Sequence, residues 1–426
     1  MEYETFQKLN EFVQTGHLVY VDRRQKLDRI FGKTVAGLEI ETVQYHMVPG
    51  GEPNSSIPDD QISRTTRRFM VDRIDVIERS QSQVVYRLML VDWNILNLTR
   101  NISISGYGSD SEVGKNVGDI IMAIFQQAEI PFYGPSLANV RTNLDYISKE
   151  NDNTMTAFRF LMRRDFFFGN GNASDSLNVL LQNTNAGNYG IYNLKNPDVD
   201  WIYSGEKPGE KLSVPNIAYL SMFDTDQLEE MVHKRQLQIQ SLSLKGRMDV
   251  LDTFQTTRIQ TFDIKSGWGE PEVFSSAAIH GLFSGSEDSP EEFKYASASK
   301  VMEGHIRYGA TWDMPFDMYE EQVDNVLNYD SFVIKQEGHL NRIPGMTFVV
   351  GTNNPEPYID EMSGPEGSDM MDQDASKYSE FVGVWTISSV RHTFDVAGGK
   401  FEDTICLFRN INASPEEGSG NGAVAT

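Results

Sequence analysis

The stretch from Arg67 to Trp93, RRFMVDRIDVIERSQSQVVYRLMLVDW, narrows the possible folds most. Two arms rich in β-branched and large apolar residues flank a polar connection from Arg79 to Gln83, and the second arm alternates through Val85, Arg87, Met89 and Val91. Alternation on both sides of a short polar link reads as an antiparallel hairpin. Two strand-like runs, LVYVD and GLEIETVQYHMV, precede it, followed by the polar loop EPNSSIPDDQ. Residues 1–104 are therefore predicted to be a mostly-β domain.

The pattern then changes period. Beyond SGYGSDSEVG, the residues Val117, Ile120, Ile121, Ile124, Phe125 and Ala128 fall on one face of an amphipathic helix. Asn116 is placed to cap it, and Pro131 to stop it. A second helix is expected at about 153–164, with Met155, Phe158, Leu161 and Met162 on one face. DFFFG reads as a short buried strand, GNGNASDS as a turn, and LNVLLQ and YGIYNL as further strands. Residues 105–212 thus read as a small α/β domain.

From 213 to 412 the chain is β-rich again. In RQLQIQSLSL the apolar positions run Leu237, Ile239 and then shift phase to Leu242, Leu244, which predicts a bulge. TRIQTFDIK is a strand, and about 267–318 reads as an inserted, less regular segment. MYEEQVDNVLNYDSFVIKQEG reads as a short helix running into a strand. IPGMTFVV, entered through Pro344-Gly345, and VGVWTISSVRHTF are adjacent strands, with Val390 and His392 on one face. Between them, residues 352–380 carry Glu356, Asp360, Glu361, Glu366, Asp369, Asp372, Asp374 and Glu380 against Lys377 alone. KFEDTICLFRN closes the domain, and residues 413–426 have a linker's composition. The fold class is α+β, mostly β.

Function classes can be excluded from the same residues. The net charge is -24, distributed as -1 over residues 1–104, -5 over 105–210 and -18 over 211–426. Such a surface repels a phosphate backbone, so sequence-independent nucleic-acid binding is disfavoured, although a repulsive wall suits a channel through which DNA slides. The acidic, polar N-terminus lacks the apolar core of a signal peptide, and no apolar run approaches the roughly 20 residues that span a bilayer. GSDSEVGKN has five residues, not four, between its glycines and lacks Ser or Thr after Lys115, so it fails as a phosphate loop. GYGSDS and GNGNAS do not complete a dinucleotide fingerprint, and DTDQLEE lacks the glycine of a calcium loop. No histidines stand at H-x-x-x-H spacing, and the single Cys406 excludes a cysteine zinc site. His392 and Cys406 could meet across the last hairpin as a thiol dyad. Cys406 beside Ile405 and Leu407 is, however, expected to be inert core. No catalytic residues, cofactor or metal site are expected.

The order of elements resembles the central baseplate hub protein of contractile-tailed phages, of the T-even type, and the wider late-control protein D family. The resemblance is carried by YRLMLVDWNILNL, KNVGDIIMAIFQQAEIPF, FRFLMRRDFFFGNG and the closing series GHLNRIPGMTFVV, VWTISSVRHTF and DTICLFRN. Pro344-Gly345, Ile387-Val390-His392 and Ile405 to Phe408 stand where that family has its proline-glycine strand entry, its V-x-x-V-x-H strand and its last apolar strand. The resemblance implies two similar β-barrel domains around an inserted α/β domain, assembling as a homotrimer into a pseudo-sixfold ring. Its implied partners are a central spike protein, tail-tube or tube-initiator proteins and baseplate wedge proteins, with DNA passing through the lumen unbound. The implied location is the virion tail baseplate, after assembly in the host cytoplasm. Pro344, Gly345, Val390 and His392 would be structural residues. The acidic loop departs from the family, whose corresponding loop is often short. Alternative readings are another barrel-type tail or secretion-system component, distal or spike-associated, and then a cell-wall polysaccharide hydrolase.

Overall fold

The computed structural model describes residues 2–23, 39–47, 62–104, 115–140, 143–144, 146–149, 151–168, 177–194, 197, 200–205, 238–244, 257–263, 267–268, 272–274, 305–310, 319–320, 323–324, 326–327, 330–350, 383–395, 398 and 400–409. The loop 352–380 and the tail 413–426 lie outside the described residues, as do the GYGSDS, GNGNAS and DTDQLEE stretches.

Strands β1 (Glu2–Lys8), β2 (Thr15–Asp22), β3 (Glu39–Met47), β4 (Ile62–Arg79) and β5 (Val84–Asp92) form the N-terminal block. The short helix α1 (Ile95–Leu98), β6 (Lys115–Asn116), helix α2 (Val117–Gln127), a 3-10 turn over Gly134–Asn139, β7 (Asn143–Leu144) and helix α3 (Thr154–Phe168) follow. Next come β8 (Asn178–Asn183), β9 (Asn188–Asn193) and a 3-10 turn over Asp200–Tyr203. The C-terminal portion holds β10 (Gln238–Leu244), β11 (Thr257–Asp263), β12 (Gly267–Trp268), β13 (Glu272–Phe274) and β14 (His305–Ala310). It continues with β15 (Asp330–Glu337), β16 (Thr347–Val350), β17 (Gly383–Asp395) and β18 (Lys400–Arg409). Tyr319, Glu320, Val323, Asp324, Val326 and Leu327 are helical just before β15, the expected helix-into-strand passage.

The protein is mostly β, and its main feature is a ten-stranded antiparallel sheet in which nine strands follow the order β10-β15-β18-β17-β1-β2-β5-β4-β3 and the tenth, β16, pairs with β17. The sheet draws on both ends of the chain. β1 pairs along β17 from Glu2 opposite Asp395 to Lys8 opposite Ser389. β16 pairs the other half of β17, Thr347 with Thr386 to Val350 with Gly383. Since β18 occupies the opposite side of β17, β1 and β16 lie end to end along one edge of it. β11, β12, β13 and β14 form a separate small sheet in which β14 runs parallel to β11.

Sequence explains most of this locally. The hairpin β4–β5 turns at Ser80–Gln83, where the Ser80 amide donates to the Gln83 carbonyl at 2.9 Å. Its core-facing residues are Val84, Tyr86, Leu88 and Leu90; the alternating set Val85, Arg87, Met89 and Val91 faces outward. The bulge expected in β10 falls between Ile239 and Ser241. A second bulge in β17, between Ile387 and Ser389, shifts the pleat so that Ile387, Val390 and His392 are all buried. The uneven spacing of that triplet is the bulge written in sequence.

Asn116 caps α2, its Oδ1 accepting from the Gly118 amide at 2.8 Å. Asn153 does the same for α3, accepting from the Thr156 amide at 2.9 Å. Helix α3 continues through Phe168, so the expected strand at DFFFG does not form. Asp165 explains the continuation: it is buried, four residues after Leu161 and seven after Phe158, and accepts from Asn178 Nδ2 at 3.4 Å. The helix face therefore extends past the point where apolar periodicity ends.

Two cores result. The smaller joins Tyr3, Phe69, Val71, Val84, Tyr86, Leu88 and Leu90 beneath the N-terminal strands. The larger is continuous from Leu9 and Phe12 through Ile120, Ile121, Ile124, Phe125, Phe158 and Leu161 to Trp385, Ile387, Val390, Ile405 and Leu407. The helical middle segment and the closing strands thus share one apolar interior. Burying each large side chain contributes about 1.5–3 kcal/mol.

Candidate functional site

Three elements converge on Asp403 of β18, a fully buried carboxylate. The β17–β18 register sets it opposite His392. His392 Nδ1 lies 2.6 Å from Asp403 Oδ1. Arg342 Nη1 donates to Oδ2 at 2.7 Å, and the His339 backbone amide donates to the same oxygen at 2.9 Å. Gln336, with its amide oxygen turned to the guanidinium, accepts from both terminal nitrogens of Arg342 at 3.1 and 3.2 Å. His392 Nε2 faces the Arg342 carbonyl oxygen at 3.2 Å. Both ring nitrogens therefore face oxygen atoms, one of a carboxylate and one of the backbone.

Burial alone would raise the Asp403 carboxyl. The charge and hydrogen bond of His392, the Arg342 guanidinium and the His339 amide outweigh burial and hold it below the usual carboxylate range. A depressed carboxylate stabilises the fold above its unfolded value and loses that contribution as pH falls. Asp92 opposes this in part, because burial holds its carboxyl above the usual range despite the Asn94 and Gln182 donors. Stability is expected to fall below about pH 4. Urea midpoints measured from about pH 6 to about pH 3 should drop, and less steeply in Asp403→Asn.

The cluster fixes the turn from His339 to Met346, which contains both Pro344 and Gly345. The Gly345 amide donates to the Ile387 carbonyl at 2.8 Å, and the Ile387 amide donates back to Met346 at 2.9 Å. Gly345 has φ +86°, and a Cβ there would lie 3.1–3.2 Å from Ile202, Leu181 and Tyr192 of the middle segment. Gly345→Ala is expected to cost about 1–3 kcal/mol through backbone strain and this contact, read as a lower thermal midpoint.

A second polar set ties the middle segment to the N-terminal strands. Gln7 Nε2 donates to the Gln182 carbonyl at 2.5 Å, the Gln14 amide to Gln182 Oε1 at 2.9 Å, and Gln182 Nε2 to Asp92 Oδ2 at 3.1 Å. Arg67 donates to the Thr184 carbonyl and, at 3.2 Å, to Asn185 Oδ1. Asn185 Nδ2 then donates to the Asn341 carbonyl at 2.8 Å, and Tyr203 Oη pairs with the Thr347 backbone at 3.2 Å. The middle segment is thus hydrogen-bonded to the N-terminal strands, to the turn that holds Asn341 and to β16.

The structure brings His392, Pro344, Gly345 and Val390 to one neighbourhood. It does not form the thiol dyad. Cys406 is opposite Ser389, and it is half-buried rather than core. Ile405 and Leu407 take the inward positions, so the residue between them points to the other face. Nor does the His392–Asp403 pair have the geometry of a general base, since Nε2 is directed at a backbone carbonyl. Asp403, Arg342, His339 and Gln182 were not singled out by sequence. A carboxylate on the inward register of an apolar strand, flanked by Phe401 and Ile405, was the available signal.

No protein-family description matches the sequence, and no curated protein matches it. Similar solved structures include a tail protein from Neisseria meningitidis MC58, at 10% identity over 96% of this chain and 93% of that one, with TM-score 0.44. The 43 kDa tail protein of prophage MuSo2 from Shewanella oneidensis matches at 10% identity over 97% and 95%, with TM-score 0.44. An E. coli component of the type VI secretion system, described as structurally similar to T4 bacteriophage tail proteins, matches at 8% identity over 96% and 73%, with TM-score 0.40. These neighbours are phage-tail and secretion-system proteins. Among the described residues no helix is long and apolar enough to cross a membrane.

Proposed function

We propose that this chain is a structural hub of a contractile-tail baseplate, a trimer that adapts a sixfold tail tube to a threefold central spike. The observation that carries the reading is the β1–β17 pairing, which joins the N-terminal and C-terminal β-blocks into one sheet. An adaptor must transmit load between two faces, and one continuous sheet with a middle segment bonded to both halves suits that task. The order of elements that resembles the hub family supports the same assignment. In this reading the two β-blocks are the two barrel-type domains, 1–104 and 213–412, with 105–212 between them. The -18 of the C-terminal half contributes to a lumen wall that DNA passes without sticking. The acidic loop 352–380 contacts a neighbouring baseplate protein. The chain itself carries no catalysis, and a zymogram on host peptidoglycan is expected to show no clearing.

Mass photometry of the purified chain, alone and with its spike, tests the assignment. A trimer or a spike-bound complex is expected, with six-lobed rings in class averages. A strict monomer at micromolar concentration, unchanged by the spike, overturns it. Deleting residues 355–377 should leave trimerisation intact.

A further inference from the structure

Among the described residues, one other set of ligating side chains converges away from the Asp403 cluster. Glu2 and Glu4 are two residues apart on β1, so both leave the face opposite to buried Tyr3 and Thr5. The β1–β2 register sets Glu4 directly across from His17. One carboxylate oxygen from each glutamate and one ring nitrogen of His17 all lie within 4.8 Å of one another. His17 Nδ1 is 3.7 Å from Glu4 Oε1, and the two side chains are only 21% and 19% exposed. Ligand atoms at tetrahedral zinc bond lengths stand roughly 3.4 Å apart, so rotamer adjustment alone would close the set.

We propose that Glu2, Glu4 and His17 form a three-ligand site for a divalent first-row transition metal of the zinc type. The donor set selects the class. An imidazole with two carboxylates suits zinc, nickel or cobalt, whereas calcium takes about six to eight oxygens. The local charge agrees. The two carboxylates have a nearby cation in Arg391, whose Nε is 3.5 Å from Glu4 Oε1 and whose side chain is 51% exposed. A divalent ion offsets the remaining negative charge and competes with that loose pair. The location gives the site a consequence. β1 lies between β2 and β17, so an ion bridging Glu4 and His17 would clasp β2 to the strand that joins the two ends of the chain.

The test uses the full, untagged chain, with Zn2+ in isothermal titration and Co2+ as a visible-absorption probe. Wild type is expected to bind one equivalent through these residues, with cobalt bands of a low-coordinate nitrogen–oxygen site. His17→Ala and Glu2→Gln should each weaken binding by at least about tenfold. Glu2 is exposed at the start of β1, so Glu2→Gln retains the fold and keeps the test decisive if His17→Ala does not. Zn2+ should raise the thermal midpoint of wild type but not of Glu2→Gln. Absence of saturable binding, or equal binding by wild type and Glu2→Gln, overturns the site.

Discussion

Asp403→Ala is expected to destabilise the chain by about 3–5 kcal/mol, the cost of removing one partner from a buried ion pair. The carboxylate is fully buried and meets Arg342, itself only 5% exposed, together with His392 and the His339 amide. Without it the Arg342 guanidinium, the His392 ring and the His339 amide all lose this acceptor at a buried position. Asp403→Asn retains the shape and one acceptor oxygen but not the charge, so its loss should be smaller. Urea denaturation followed by tryptophan fluorescence measures both. A loss below about 1 kcal/mol for alanine, the range of exposed ion pairs, would mean that the cluster is solvated and does not hold the turn. Because that turn delivers Gly345 against Ile202, Leu181 and Tyr192, the damage should reach the middle segment. Increased proteolysis near residues 178–203 would show it.

Phe125→Ala should be as damaging, at about 3–5 kcal/mol for an aromatic truncated in a packed core. Phe125 is fully buried. Its ring lies 4.7 Å from that of Phe132, 5.8 Å from Tyr189 and 6.0 Å from Phe158. These rings join helix α2 to helix α3 and to the β8–β9 hairpin, so the cavity would have little freedom to collapse. The informative result is the shape of the transition. The same core includes Trp385 and Ile387 of β17. Loss of Phe125 should therefore lower the midpoint of a single transition seen alike by far-ultraviolet circular dichroism and by tryptophan fluorescence. Two separated transitions would mean that residues 105–212 fold independently of the sheet.

What was legible in the sequence depended on which residues face inward. Helix α2 was clear because its buried face is wholly apolar and its cap is an asparagine. The hairpin β4–β5 was clear because Val84, Tyr86, Leu88 and Leu90 alternate with outward residues, and the closing strands because Ile387, Val390, Ile405 and Leu407 dominate their inward face. β1 was not legible, although it joins the two halves. Its inward residues are Tyr3, Thr5 and Gln7, and two of the three are polar. Gln7 is tolerated there because Gln182 and Thr184 receive and supply its hydrogen bonds, partners some 175 residues away. No local pattern announces such a match. DFFFG failed differently: a run of three phenylalanines has no period, so strand and helix were equally compatible with it. The Asp403 cluster was half-legible. His392 and Val390 share a face by simple alternation, but Arg342 arrives from a turn whose path alternation does not describe.

The pairing of β1 with β17 also sets an order of events during synthesis. Glu2 is made long before its partner Asp395, because β17 follows β1 by most of the residues of the sheet. Until then one side of β1 offers unpaired backbone groups, the kind of edge that recruits other chains. Contacts of such long sequence separation form slowly. That edge of β1 is thus open to mispairing until β17 is made and covers it.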